Sequence, residues 1–231
     1  MITLVALDIA GTTVDDGGIV YEALRGSVEE AGAPVAPADL QTWMGADKVE
    51  AITHLLRLGG VEPTGELVAT SFGRFREILA ERYAAEPPVP VGGAVEAIAE
   101  LRRRGVKVAL TTGFTADVAV PLLGALGWTV GSSADDTVDA LITTSDVAAG
   151  RPAPYMIFRA MEATGTRDVR EVIAAGDTAV DVRAARAAGA TAIGVLTGKA
   201  DRATLEAEDH DYVVDAVAAI PALVVEFGAG E

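Results

Sequence analysis

An aspartate that ends an apolar strand and precedes a glycine turn can handle phosphate. Residues 3–12, Thr-Leu-Val-Ala-Leu-Asp-Ile-Ala-Gly-Thr, carry one. Asp8 falls at the carboxyl end of the first strand of an α/β pattern, the edge where such sheets take ligands, and Gly11 and Thr12 would offer amide and hydroxyl donors to a phosphate. The plainer alternative is that Asp8 caps the turn, since short strands ending in Asp-x-x-Gly are common. Three further strand ends carry polar groups. Thr111-Thr112-Gly113 offers a hydroxyl and a glycine amide of the kind that grips a phosphoryl oxygen, or a simple turn. Arg151, ahead of Pro152 and Pro154, supplies one cation just before a proline-opened helix, or a solvated surface charge. Gly176-Asp177-Thr178, with Asp181 four residues beyond Asp177, offers two carboxylates, one of which could be a helix N-cap at Asp177.

The elements that must position these groups are short apolar runs alternating with helical patterns. Strands are expected near 2–7, 106–111, 139–143, 171–175, 191–196 and 211–214, a βαβ arrangement with a parallel sheet. Between the first two strands, about 17–87 contains no strand pattern and reads as amphipathic helices near 19–32, 37–43, 47–58 and 64–84, more than a crossover needs. The fold class is therefore α/β: a Rossmann-like parallel sheet core, residues 1–15 and 88–231, with an inserted α-helical cap domain, residues 16–87. Glu86-Pro87-Pro88-Val89-Pro90 reads as a stiff hinge-like return, and the terminal 228–231 as frayed.

The chain has 231 residues, half of them apolar, enough for a proper core. A net charge of −16 argues against nucleic acid or an anionic membrane as partner, because both need a cationic footprint, so a small anion must be met by local cations. There is no cysteine, hence no disulfide or thiol chemistry. The first apolar run is too short for a signal peptide and lacks its basic start, and no stretch approaches a membrane span; the expected location is cytoplasmic. Only Lys48, Lys107 and Lys199 are lysines among 18 basic residues, so where a cation alone would do the chain uses Arg, and each Lys invites a question.

Taken together and in this order, the four strand-end segments resemble the haloacid dehalogenase superfamily of phosphohydrolases over essentially the whole chain. The resemblance implies that Asp8 is the nucleophile, Thr112 holds phosphate beside Gly113, Arg151 is the fixed cation, and Asp177 binds Mg²⁺ with Thr178 and Asp181 in support. Mg²⁺ takes oxygen ligands, and Asp8, Asp177, the Ala10 carbonyl, a substrate phosphoryl and waters would make an octahedral set. Such a cation and Arg151 would screen a dianionic substrate from an anionic nucleophile.

Two departures sharpen this. Superfamily phosphatases usually carry a second Asp two residues after the nucleophile to protonate the leaving alkoxide; here Ala10 stands there and cannot, a role worth about 10² to 10⁴ in rate. Within the expected cap, Asp47 and Glu50 form a capping pair for a helix with an apolar stripe of Val49, Ile52, Leu55 and Leu56, which puts Lys48 in the first turn beside that stripe. The positive helix end and desolvation would lower its pKa and make it an imine-forming amine, unless it is an ordinary surface lysine.

Asp8-Ile9-Ala10-Gly11-Thr12, Met44-Gly45-x-x-Lys48, Thr111-Thr112-Gly113, Gly150-Arg151-Pro152 and Gly176-Asp177-Thr178 are similar to phosphonoacetaldehyde hydrolases (phosphonatases) and phosphonatase-like relatives. That resemblance implies that Lys48 forms a Schiff base with the substrate aldehyde while Asp8 attacks phosphorus, with Met44, Gly11 and Thr12 among the substrate-binding residues. A C–P bond has no leaving oxygen to protonate, and a protonated imine can accept the electron pair as an enamine. The chain lacks the histidine, tyrosine and cysteine that the family implies at Ala51, Phe114 and Gly18, so a close analogue or a hydroxylated variant is an alternative substrate. His54, six residues after Lys48, lies on another face and reads as an ordinary helix residue. A Mg²⁺-dependent phosphomonoesterase with an acidic leaving group is the second reading, and a non-catalytic phosphate-sensing module the third. Homodimerisation through the cap is expected from the family alone.

Overall fold

Strand β1 (Leu4–Asp8) is buried at all five positions, the pattern of a parallel strand covered on both faces, which is why its sequence runs apolar without alternation. The computed structural model describes residues 1–229 and divides into two units, residues 1–15 with 89–231, and residues 16–88.

In the first unit β1 is followed by β2 (Val14–Asp15), which pairs antiparallel with β3 (Val89–Pro90) in a two-residue ribbon. The ribbon stands where the chain leaves and rejoins this unit, and its second strand takes in the last two residues of the hinge-like segment expected at 86–90. Two residues are too few for any periodicity to register, and Pro90 is tolerated because the ribbon has free edges.

The main sheet adds β4 (Lys107–Thr111), β5 (Ala140–Ile142), β6 (Val172–Gly176), β7 (Thr191–Val195) and β8 (Tyr212–Val214), in the order β5-β4-β1-β6-β7-β8. Every pair is parallel. The chain winds outward in one direction through β4 and β5 and in the other through β6, β7 and β8. β1 is therefore at the switch of winding direction, and a crevice outside the carboxyl ends of β1 and its neighbours is where such a sheet receives a ligand.

The helices follow chain order. The inserted unit contains α1 (Ile19–Glu30), α2 (Pro37–Thr42), α3 (Lys48–Leu58) and α4 (Gly65–Ala85). The sheet unit contains α5 (Ala94–Arg103), α6 (Ala116–Ala125), α7 (Tyr155–Thr164), α8 (Ala179–Ala188), α9 (Arg202–Glu206) and α10 (Ile220–Ala229). On one sheet face Met156 and Ile157 of α7 and Val182 and Ala185 of α8 join Leu4, Ala6 and Ala174 in one core cluster. Of the tail expected to fray, 228–229 end α10, and 230–231 lie outside the described residues.

Within the inserted unit, α1 and α4 pack side by side, fastened on the surface by Glu30–Arg74 and Glu22–Arg82 pairs, with buried Leu24, Val28, Phe75 and Leu79 beneath. Asp16 ties the two ends of this unit together. Its carboxylate accepts the Gly18 and Val20 N–H groups and the Tyr83 hydroxyl at 2.9, 2.9 and 3.1 Å. No helix among the described residues is long and apolar enough to cross a membrane.

Candidate active site

Asp8 is the last residue of β1 and pairs in register with Thr111. Its side chain is buried, and Arg151 Nη1 lies 2.6 Å from its Oδ1. The same Nη1 lies 2.5 Å from Asp181 Oδ1, while Nη2 donates to the Thr111 hydroxyl at 3.3 Å. Arg151 is 4% exposed, which decides against the surface-charge alternative. The helix after it opens later than expected, at Tyr155. Burial pushes the Asp8 carboxyl up to about 6; Arg151 pulls against that, and Asp181 adds to it. Burial also works against the charge of Arg151, but Asp181 and Asp8 outweigh it and raise its pKa.

Asp177 follows β6 directly and is fully buried. Thr12 donates its hydroxyl to Asp177 Oδ1 at 3.0 Å, and Oδ2 has no hydrogen-bond partner. Burial, then Asp8, then Asp181 raise the Asp177 pKa well above the ordinary carboxylate range, and the Thr12 bond offsets only part of this. Gly11 has φ +92°, and a Cβ there would sit 2.6 Å from Asp177 Oδ2. Left-handed backbone and close approach both require glycine at that turn.

A buried carboxylate oxygen without a donor, beside a second buried carboxylate, is a donor set suited to a hard divalent cation. Among the described residues no three His, Cys, Asp or Glu side chains cluster to hold a metal by themselves. Two carboxylates fit only as part of a set completed by backbone, substrate and water oxygens, the way Mg²⁺ is usually held.

Several expected roles fall differently. Asp177 does not cap α8; Thr178 is the N-cap, in a reciprocal capping box in which Asp181 Oδ2 accepts both the Thr178 N–H at 3.0 Å and its hydroxyl. Asp181 is thus divided between the helix start and Arg151, and it supports the cation of Arg151. The Gly11 N–H goes to the Val14 carbonyl at 2.8 Å and the Thr12 hydroxyl to Asp177, so both expected phosphate donors are engaged within the protein. Thr112 is buried and its oxygen accepts the Phe114 N–H at 3.2 Å, which leaves its proton for a phosphoryl oxygen; Gly113 is buried in the same turn. Thr111, named with Thr112 at its strand end, is the hydroxyl that meets Arg151. Its pairing follows from the register that sets it opposite Asp8.

In the inserted unit, Lys48 is the first residue of α3 and Asp47 is its N-cap, accepting the Glu50 N–H at 2.9 Å. Lys48 is 5% exposed and donates from Nζ to the Ala46 carbonyl at 2.8 Å. Val49, expected in the apolar stripe, is exposed, and Lys48 takes that place in line with Ala51, Ile52 and Leu55. Met44 is half-buried in the preceding turn, and His54 stacks on Trp43 with ring centroids 4.2 Å apart. At the family's missing positions, Ala51 and Phe114 are buried and Gly18 has φ +87°, a conformation a cysteine would rarely adopt.

A cavity of about 610 Å³ lies at the other end of the sheet, between α5, the start of β4 and the 132–139 loop. Arg102 and Lys107 there both pair with Asp139, so its two cations at that carboxylate are already engaged, and the buried carboxylates of the strand ends remain the candidate for chemistry.

The sequence pattern of the haloacid dehalogenase-like hydrolases matches residues 2–189. A phosphonoacetaldehyde hydrolase of Bacillus cereus (strain AH820) is 32% identical over 197 residues, spanning 78% of this chain and 70% of that protein. In fold, the chain is similar to a hydrolase from Pseudomonas syringae, with TM-score 0.84, 24% identity and coverage of 97% and 98% of the two chains. It is also similar to a phosphonoacetaldehyde hydrolase-like protein from Oleispira antarctica, with TM-score 0.82, 22% identity and coverage of 100% and 95%.

Proposed function

Since the chain belongs to the haloacid dehalogenase-like hydrolase family, we propose that this hydrolase cleaves the C–P bond of phosphonoacetaldehyde or a close analogue through an aspartyl-phosphate and a Lys48 Schiff base. The observation that carries this is Ala10. A nucleophile loop with Asp8 and Gly11 in position carries no acid for a leaving oxygen, which suits a substrate whose leaving atom is carbon.

In this reading the Lys48 amine condenses with the aldehyde, releasing water and leaving a protonated imine one carbon from the C–P bond. An Asp8 oxygen attacks phosphorus in line, and the C–P electron pair moves into the imine to form an enamine. Arg151, already against Asp8, balances the charge of the phosphoryl group as it transfers, and the Thr112 hydroxyl donates to one of its oxygens. Water then cleaves the acyl-phosphate to regenerate Asp8 and release phosphate. The enamine takes a proton at carbon, and water hydrolyses the imine to free acetaldehyde and Lys48. Asp8, Asp177 and the Ala10 carbonyl would hold Mg²⁺, which when bound neutralises phosphoryl charge.

One observation favours the second reading, a phosphomonoesterase for acidic leaving groups: Lys48 Nζ is engaged by the Ala46 carbonyl, the posture of a held ammonium. Lys48→Arg separates the two, because guanidinium keeps the charge and cannot form an imine. Loss of phosphonoacetaldehyde cleavage with side activity on aryl phosphates retained supports C–P hydrolysis. Borohydride treatment during turnover should leave a two-carbon adduct on the Lys48 peptide, and an unmodified Lys48 under those conditions would refute the imine.

A further inference from the structure

The loop after β7, Thr197-Gly198, took no part in the motifs, yet it lies against a buried carboxylate oxygen that has no hydrogen-bond partner. Thr197 donates its hydroxyl to the Gly11 carbonyl at 2.7 Å, joining the β7 loop to the nucleophile loop 186 residues earlier. Gly198 lies outside the left-handed region, so its backbone would accept any residue. What glycine supplies there is room, since a Cβ on Gly198 would overlap Asp177 Oδ2. The same oxygen lies against Gly11, where a Cβ would come within 2.6 Å of it. Two glycines from different loops thus make room for one carboxylate. Thr12 holds Oδ1, and Oδ2 is left without a donor.

Resting on the reading of Asp8 and Asp177 as a divalent-cation pair, we propose that Thr197 and Gly198 are positioning residues that fix the Asp177 carboxylate for that cation. Thr197 sets the spacing of the two loops, and Gly198 leaves the room that the Asp177 carboxylate occupies with Oδ2 undonated. Outer-shell partners of this kind typically control metal affinity by about 10- to 100-fold.

The test is Mn²⁺ and Mg²⁺ binding by the full chain, measured by calorimetry and by the electron paramagnetic resonance of free Mn²⁺, with circular dichroism as a check on folding. Gly198→Ala is expected to weaken binding by about 10- to 100-fold with the fold retained. Thr197→Val is expected to weaken it less, and Thr197→Ser to restore wild-type affinity. If Gly198→Ala fails to fold, the Thr197 pair decides: Val weak and Ser normal supports the positioning role. Wild-type affinity in Thr197→Val and in any folded Gly198→Ala overturns it. A wild-type protein that binds neither ion would instead overturn the cation reading itself, and the positioning role with it.

Discussion

Asp8 and Asp181 share one guanidinium, and Asp177 has none. Three buried carboxylates around one cation make a costly cluster, and the cost has a sign that pH can read. The folded pKa of Asp8, about 6, is above its ordinary value of 3.8, and that of Asp177 is raised as well. A carboxyl raised on folding binds protons more tightly in the native state. Its contribution is therefore most favourable below the unfolded value and is lost as pH rises through the folded one. For Asp8 that window runs from 3.8 to about 6, and Asp177 acts in the same direction. Metal-free protein should lose on the order of 2 kcal/mol across it from Asp8. Thermal melts in chelator should therefore show Tm falling as pH rises through this interval, and a Tm that climbs steadily instead would contradict the burial described. Asp177→Asn should melt higher than wild type in chelator at neutral pH while losing activity. Asp8→Asn should abolish phosphoryl transfer while substrate binding persists, measured by single-turnover trapping of the aspartyl-phosphate; near-normal turnover would remove Asp8 as nucleophile.

At the scale of elements, the start of α8 ties the helix cap to the proposed site, because Asp181 closes the capping box with one oxygen and meets Arg151 with the other. Thr178→Ala should cost about 1 kcal/mol of stability, as loss of an N-cap does. It should also lower kcat by loosening the carboxylate that positions Arg151. Thr64 caps α4 by accepting the Leu67 N–H at 3.2 Å on an exposed surface, so Thr64→Ala is the control. A similar stability loss with kcat unchanged is expected there, and equal kcat losses in the two variants would show that only global stability was measured.

Across the whole molecule, 34 acidic residues face 18 basic ones, and many Arg are already paired on the surface, as in Arg183–Glu208 and Arg186–Asp211. Exposed pairs of this kind contribute little each, whereas the excess of like charge acts everywhere. Adding NaCl to metal-free protein, up to the point where the screening length is about 8 Å, should therefore raise Tm, and a fall would mean that the pairs outweigh the repulsion.

The sequence by itself determined the elements and the main anchors of the site. β1 is a run that alternation cannot explain and burial on both faces can, and Asp8 and Asp177 were legible because each ends or follows such a run, whereas only burial separated Arg151 from a surface charge. α1 to α4 carry their periodicity and caps within a few residues, and so were legible to within two residues at either end. Tertiary structure alone decided which group each polar atom meets. Thr12 reaches Asp177 across 165 residues of chain, Thr197 reaches Gly11 across 186, and Thr111 meets Arg151 across 40. It also turned Lys48 onto the buried line of α3 in place of Val49, a rotation that a short stripe with apolar residues on either side leaves undetermined. A hydroxyl or amide has no periodicity of its own, and its partner is chosen by how the strands come to lie side by side.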